Sequence, residues 1–202
     1  MRDTKEAILT AALRLFARDG YEAVSVSQIA GELGMTKSAL YRHYQNKRDI
    51  FEQILARMER TDAEQAGNFD LPEGSFEEMG EQYGTVTMER FVAYSKAQFR
   101  YWTENPFASD FRKLLTLEQF RSGEMQRLYQ QYLAAGPVQY VTDLFRAMGL
   151  PEPEQRAAAF YAAMFLSYSM YDGAEDPAAV TERLDSLLEH LAVQNQNKEE
   201  PI

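Results

Sequence analysis

Apolar residues recur at helical spacing along most of the chain, and no stretch alternates apolar and polar residues as a strand would. Ile8, Ala12, Leu15 and Phe16 trace an i, i+4, i+7, i+8 stripe; Asp3 with Glu6 reads as its capping pair and Gly20 as its stop. Ser25, with Gln28 three residues on, predicts a capping box opening a helix that carries Ile29 and Leu33 on one face. Gly34 falls where that helix must end, because glycine tolerates the left-handed conformation past a C-terminus. Thr36 then caps a third helix whose Leu40 turns inward, and Asn46 with Asp49 starts a fourth carrying Ile50, Phe51, Ile54, Leu55 and Met58 on one face. Residues 1 to about 60 therefore read as four helices, the middle two forming a helix-turn-helix.

Between Thr61 and Thr87 the periodicity breaks at Gly67, Pro72, Gly74, Gly80 and Gly84, which predicts the end of the fourth helix and a loop with one short helix. Helical spacing resumes near Met88 with Phe91/Val92, Ser95, Phe99 and Trp102, and stops before Asn105-Pro106. Shorter helices are predicted over Phe107 to Phe120 and from Ser122 toward Gly149, the latter bent at Gly136-Pro137. Pro153 and Glu154 open another through Tyr171, and Asp176-Pro177 caps the last, with Val180, Leu184, Leu187, Leu188 and Leu191. The polar tail from Gln194 is expected to fray. The fold class is all-α with about nine helices, divided into an N-terminal domain over residues 1–60 and a C-terminal helical bundle over 61–202.

Charge changes this picture. The chain carries a formal −10, but residues 1–60 hold 10 Lys+Arg against 8 Asp+Glu, a net +2, and residues 61–202 hold 11 against 23, a net −12. From Met35 to Arg48 there are four basic residues and no acidic one. A basic tip on an acidic body is the composition of a helix-turn-helix that sits on DNA and is repelled from it elsewhere. The helix start at Thr36 offers a hydroxyl and backbone N–H groups to a phosphate. Lys37 and Arg42 suit phosphate or guanine, and Ser38 and Ala39 suit base edges, the alanine methyl meeting a thymine methyl.

The residues Ala11-Ala12-Leu13-Arg14-Leu15-Phe16 with Gly20-Tyr21, then Ile29-Ala30, Leu33-Gly34, Thr36-Lys37-Ser38-Ala39-Leu40-Tyr41-Arg42-His43-Tyr44 and Lys47 before Ile50-Phe51 complete a pattern. Ile8 to Leu55 resembles the DNA-binding domain of TetR-type transcriptional regulators. The resemblance implies that Tyr41, His43 and Lys47 touch the DNA backbone, extending the expected DNA-binding set to Ser25, Thr36, Lys37, Ser38, Ala39, Tyr41, Arg42, His43 and Lys47. Tyr44 is expected in the small domain's core instead. Two residues depart from the family's usual pattern: Tyr44 stands where phenylalanine is commoner, and Ser38 where glycine often sits.

Residues 88–171 are rich in aromatic residues and methionine, a composition that encloses an adaptable apolar pocket as readily as it fills an ordinary core. TetR-like proteins usually bind a small effector among these helices, which makes Phe91, Tyr94, Trp102, Phe111, Met125, Tyr129, Tyr132, Met164 and Tyr168 the ligand candidates. Glu118, Arg121, Glu124 and Arg127 are the candidates for a buried charge there, but nothing in the sequence places them inside, and they read as solvated. Ala157 to Tyr171 is apolar almost all round, so a homodimer through the last two helices is expected, matched to a palindromic operator. With no cysteine, no metal-ligand spacing and no nucleophile triad, neither enzyme activity, a metal nor a cofactor is expected. No apolar run of about twenty residues predicts a membrane span, and the polar start Met1-Arg2-Asp3-Thr4-Lys5 predicts no secretory signal, so the expected compartment is the cytoplasm. The expected function is a repressor released by a small apolar or aromatic effector. The alternatives are a DNA-binding regulator without an effector, or an enzyme or carrier using the helical cavity.

Overall fold

A computed structural model describes residues 4–72 and 76–196, and among these the helical spacing folds as helix with no strand. The elements are α1 (Thr4–Asp19), α2 (Val26–Glu32), α3 (Lys37–Leu40), α4 (Lys47–Gly67), α5 (Phe76–Tyr83), α6 (Met88–Glu104), α7 (Pro106–Glu118), α8 (Gly123–Leu133), α9 (Ala135–Ala147), α10 (Pro153–Gly173) and α11 (Pro177–Gln196). The stretch read as one bent helix from Ser122 is two helices. Ala134 leaves helical geometry at φ −135° and ψ −95°, just before Pro137, which has no N–H to continue a ladder. α5 is kinked at Met79, with φ −129° and ψ 25°. The capping role expected of Asp3 lies outside the described residues, as does the tail beyond α11.

Two compact units make up the chain: residues 1–62 with 105–129, and residues 63–104 with 130–202. In the first, α1 buries Ile8, Ala12, Leu13 and Phe16 completely, and α7 packs along it with Phe107, Phe111, Leu114 and Leu115 buried. α7 starts cleanly because Asn105 Oδ1 accepts from the N–H groups of Phe107 and Ala108, at 3.0 and 3.1 Å, with Pro106 at the first turn. The Arg57 guanidinium lies 3.6 Å from the centroid of the Phe107 ring and pairs with Glu6.

In the second unit, α10 packs on α9, α11 and α6, and α11 packs on α6. Phe91, Phe145 and Phe160 form an aromatic triangle with centroids 4.9 to 5.8 Å apart, and Phe99 stacks on Tyr168 at 5.1 Å. Buried phenols find main-chain acceptors: Tyr161 donates to the Leu133 carbonyl at 2.9 Å and Tyr140 to the Pro72 carbonyl at 3.1 Å. Burial pushes the Tyr83 phenol up to about 12 and raises that of Tyr140 further, so both stay neutral donors at ordinary pH. On the outer side, Arg100 is bidentate to Asp185 and Lys96 pairs with Glu189. α10, read as apolar all round, buries Ala157, Phe160, Tyr161, Met164 and Tyr168 and leaves Phe165, Leu166 and Met170 exposed.

At the corner after α1, Gly20 adopts φ +90°, and a Cβ built there would sit 2.7 Å from Glu118 Oε1. Gly20→Ala therefore meets both a strained backbone and a clash, and is expected to lower stability by about 1–3 kcal/mol in urea unfolding. An unchanged midpoint would mean that the corner is free to rearrange.

Candidate nucleic-acid interface

The turn between α2 and α3 is assembled from local signals. Ser25 Oγ accepts from the Gln28 N–H at 3.3 Å while Gln28 Oε1 accepts from the Ser25 N–H at 2.8 Å, completing the capping box. At the other end of α2, Gly34 takes φ +64°. The Met35 N–H then donates to the Ala30 carbonyl and the Gly34 N–H to the Gly31 carbonyl, both at 3.0 Å, which is a Schellman ending. Thr36 Oγ1 accepts from the Ala39 N–H at 3.1 Å and opens α3. α3 is a single helical turn, and its continuation through Tyr41, Arg42 and His43 is held by turn hydrogen bonds back to Lys37, Ala39 and Leu40. Leu40, Ile29 and Ile50 are fully buried beneath. Tyr44 is buried and donates its hydroxyl to the Lys5 carbonyl at 3.2 Å, inside the small core as expected. Asn46 Oδ1 accepts from the Asp49 N–H at 2.9 Å, and Asp49 Oδ2 accepts from the Gln45 N–H at 2.8 Å, so the cap-like pair at α4 forms.

The predicted DNA-binding residues divide into two groups. Lys37, Ser38, Tyr41 and Arg42 are exposed, Ala39 and His43 are half-buried, and Lys37 Nζ stands 5.7 Å from the Tyr41 ring centroid. Among the described residues, neither Lys37 nor Arg42 has an acidic partner within ion-pair distance, so both charges are available to a polyanion. Ser25 and Thr36 are exposed but serve as helix caps. Lys47 is engaged within the fold: its ammonium donates to the Tyr21 carbonyl at 2.8 Å and the Glu22 carbonyl at 3.4 Å, and lies 4.3 Å from the Tyr21 ring centroid. Arg48 is likewise engaged, bidentate to Glu124 at 2.6 and 2.7 Å and bonded to Glu52 at 2.8 Å. Those bonds hold the Glu124 carboxyl below its usual range.

Glu118, read as solvated, is 2% exposed. It falls at the end of the α7 stripe of Phe111, Leu114 and Leu115, and its Oε1 accepts from the Tyr21 N–H at 3.2 Å, with Arg121 at 3.5 Å. The stripe was visible in the sequence, but the partner 97 residues away was not. The ligand candidates also separate by unit. Phe91, Tyr94, Trp102, Tyr132, Met164 and Tyr168 are in the second, where Trp102 meets Tyr132 at 6.4 Å and Tyr94 meets Phe69 at 5.8 Å. Phe111, Met125 and Tyr129 are in the first, Phe111 and Met125 as core. Sequence reasoning passed over Gln98, which shares the α6 face of Tyr94 and Trp102.

Lys47→Met leaves the Tyr21 and Glu22 carbonyls without their donor. It is expected to destabilise the protein by about 1–2 kcal/mol in urea unfolding without DNA. No loss of stability would show that the ammonium does not hold the corner.

Comparison with known proteins agrees with this architecture. Residues 8–54 match the model of the bacterial regulatory proteins, tetR family. The chain is 38% identical over 73 residues to the HTH-type transcriptional repressor BepR of Brucella suis biovar 1 (strain 1330). That stretch spans about a third of both proteins, 35% of each. Over the full fold, the chain is similar to SmeT, the repressor of the Stenotrophomonas maltophilia multidrug efflux pump SmeDEF, with a TM-score of 0.60 and 17% identity, covering 100% of this chain and 98% of that one. It is also similar to AibR, solved in complex with isovaleryl coenzyme A and operator DNA, with a TM-score of 0.61 and 22% identity, covering 92% of this chain and 97% of that one. At these identities the structural likeness is one of fold. Together with the capped turn and its exposed basic residues, the match over residues 8–54 identifies that stretch as a helix-turn-helix segment of the kind found in the bacterial regulatory proteins of the tetR family.

Proposed function

We propose that this protein is a ligand-responsive repressor that binds a palindromic operator as a homodimer and is released by a small apolar or aromatic effector. The observation that carries the DNA half is the exposed charge of Lys37 and Arg42, without an ion-pair partner among the described residues, beside Ser38, Ala39 and Tyr41 on a capped helix-turn-helix. Arg42 and Lys37 reach phosphate or guanine, Ser38 and Ala39 face base edges, and Tyr41, His43, Ser25 and Thr36 contribute backbone contacts. Lys47 can add a phosphate contact only with what its hold on Tyr21 leaves free. BepR and SmeT, both repressors, support the repressor reading, and AibR supports the pairing of operator DNA with a small ligand in this fold.

The exposed apolar side chains of α10 and α11 (Phe165, Leu166, Met170, Leu187 and Val193) support the dimer. Monomers rarely leave such a patch open to water. Two reading heads about 34–36 Å apart would meet successive major grooves. The aromatic helices of the second unit offer the effector site. α4 supplies residues to both units, Lys47 to Asp62 in the first and Ala63 to Gly67 in the second, and so is the link through which effector binding would alter head spacing. By linkage, operator and effector must weaken each other by the same factor.

Arg42→Ala is expected to weaken operator binding in fluorescence anisotropy. If Arg42 meets a phosphate, the slope of log affinity against log salt falls by about 0.9 for each phosphate that is no longer neutralised; an unchanged slope with poorer discrimination at one base pair assigns it to guanine. No change in affinity would remove it from the interface. Leu166→Glu places a charge in the proposed dimer face, and sedimentation is expected to give a monomer that no longer binds the operator. A dimer that persists would exclude this face.

A further inference from the structure

The aromatic stripe of α6 carries one amide. Positions 91, 94, 98 and 102 advance by three or four residues and lie along one helix face, which sets Gln98 between Tyr94 and Trp102. The neighbours on that stripe are engaged by rings of their own unit: Phe91 by Phe145 and Phe160, Tyr94 by Phe69, and Trp102 by Tyr132. Gln98 differs, since its Oε1 is buried and accepts no hydrogen bond among the described residues. Folded proteins match nearly all such oxygens, because an unpaired buried acceptor has lost its water and gained nothing in exchange. Two phenols of this unit are already committed, Tyr161 to the Leu133 carbonyl and Tyr140 to the Pro72 carbonyl. The nearby cations of α6 are committed as well, Lys96 to Glu189 and Arg100 to Asp185. Among the described residues, the Gln98 carbonyl oxygen, set in an aromatic stripe, is thus left without a hydrogen-bond donor.

We infer that Gln98 is a specificity-determining residue of the effector site. Its Oε1 accepts a hydrogen bond from an O–H or N–H group of a guest whose apolar body lies against Tyr94 and Trp102. The inference rests on the effector reading above and narrows it to apolar molecules that carry a hydrogen-bond donor.

Trp102 is the chain's single tryptophan, so its fluorescence reports on this stripe directly in the full-length protein. The probes are 4-hexylphenol and 4-hexylanisole, which share a body and differ in whether the oxygen carries a hydrogen. The wild-type protein is expected to bind the phenol about tenfold more tightly, the scale of one hydrogen bond to an otherwise unpaired acceptor. Gln98→Met keeps the side chain's length without its carbonyl; it is expected to bring the two affinities together by weakening the phenol alone, with a melting temperature no lower than wild type. Equal affinities in the wild type, or a preference that survives in Gln98→Met, overturn the role of Gln98 and leave an apolar effector site standing. The wild-type comparison decides this even if the variant does not fold. Binding of neither probe up to its solubility limit overturns the effector site in this unit, and the role of Gln98 with it.

Discussion

Tyr21, the residue after the α1 corner, is held on every side. Its N–H donates to the buried carboxylate of Glu118, and its carbonyl accepts from the Lys47 ammonium. Its ring packs between Phe16 and Phe51 at 5.1 and 5.2 Å, under the same ammonium. α1, α4 and α7 thereby meet at one residue, and the chain leaves it directly into the capped start of α2. A buried carboxylate and a half-buried ammonium are each costly to take out of water, and here each is matched by main-chain groups that would otherwise be unpaired at the loop. This corner ties the segment that leads into the helix-turn-helix to α1, α4 and α7 of the first unit.

One consequence concerns charge. The run from Met35 to Arg48 contains four cations, but the fold gives them different uses. Lys47 and Arg48, at the start of α4, face carbonyls and carboxylates of their own unit, and Arg48 reaches Glu124 at the opening of α8. Lys37 and Arg42 stay in solvent. The Arg48–Glu124 pair is half exposed, so it contributes little to stability; its larger effect is to lower the cationic charge available next to the reading turn.

The second unit is organised by ring packing. Phe91, Phe145 and Phe160 fix the meeting of α6, α9 and α10, and Phe99 on Tyr168 continues the seam. Burial keeps the Tyr83 and Tyr140 phenols neutral, and Tyr140 and Tyr161 donate to main-chain carbonyls within this packing. Among the described residues nothing covers Phe165, Leu166 and Met170 of α10 in this way, and Leu166 is 61% exposed.

The sequence alone determined the helices, the capping box at Ser25 and Gln28 and the left-handed glycine at position 34. These depend on residues within four or five positions of one another, and hydrogen-bond chemistry at that range is nearly independent of the rest of the chain. The family resemblance was visible for the same reason, since its residues lie in one continuous stretch. What the tertiary structure decided is which groups become partners over long range: α7 packing with α1, Glu118 with Tyr21, Arg48 with Glu124, Lys47 turned inward, and a bare acceptor at Gln98. A sequence shows that a side chain is charged or polar, but whether it meets water, a counter-charge or nothing depends on which segments the fold brings within about 3 Å, the range over which a hydrogen bond acts.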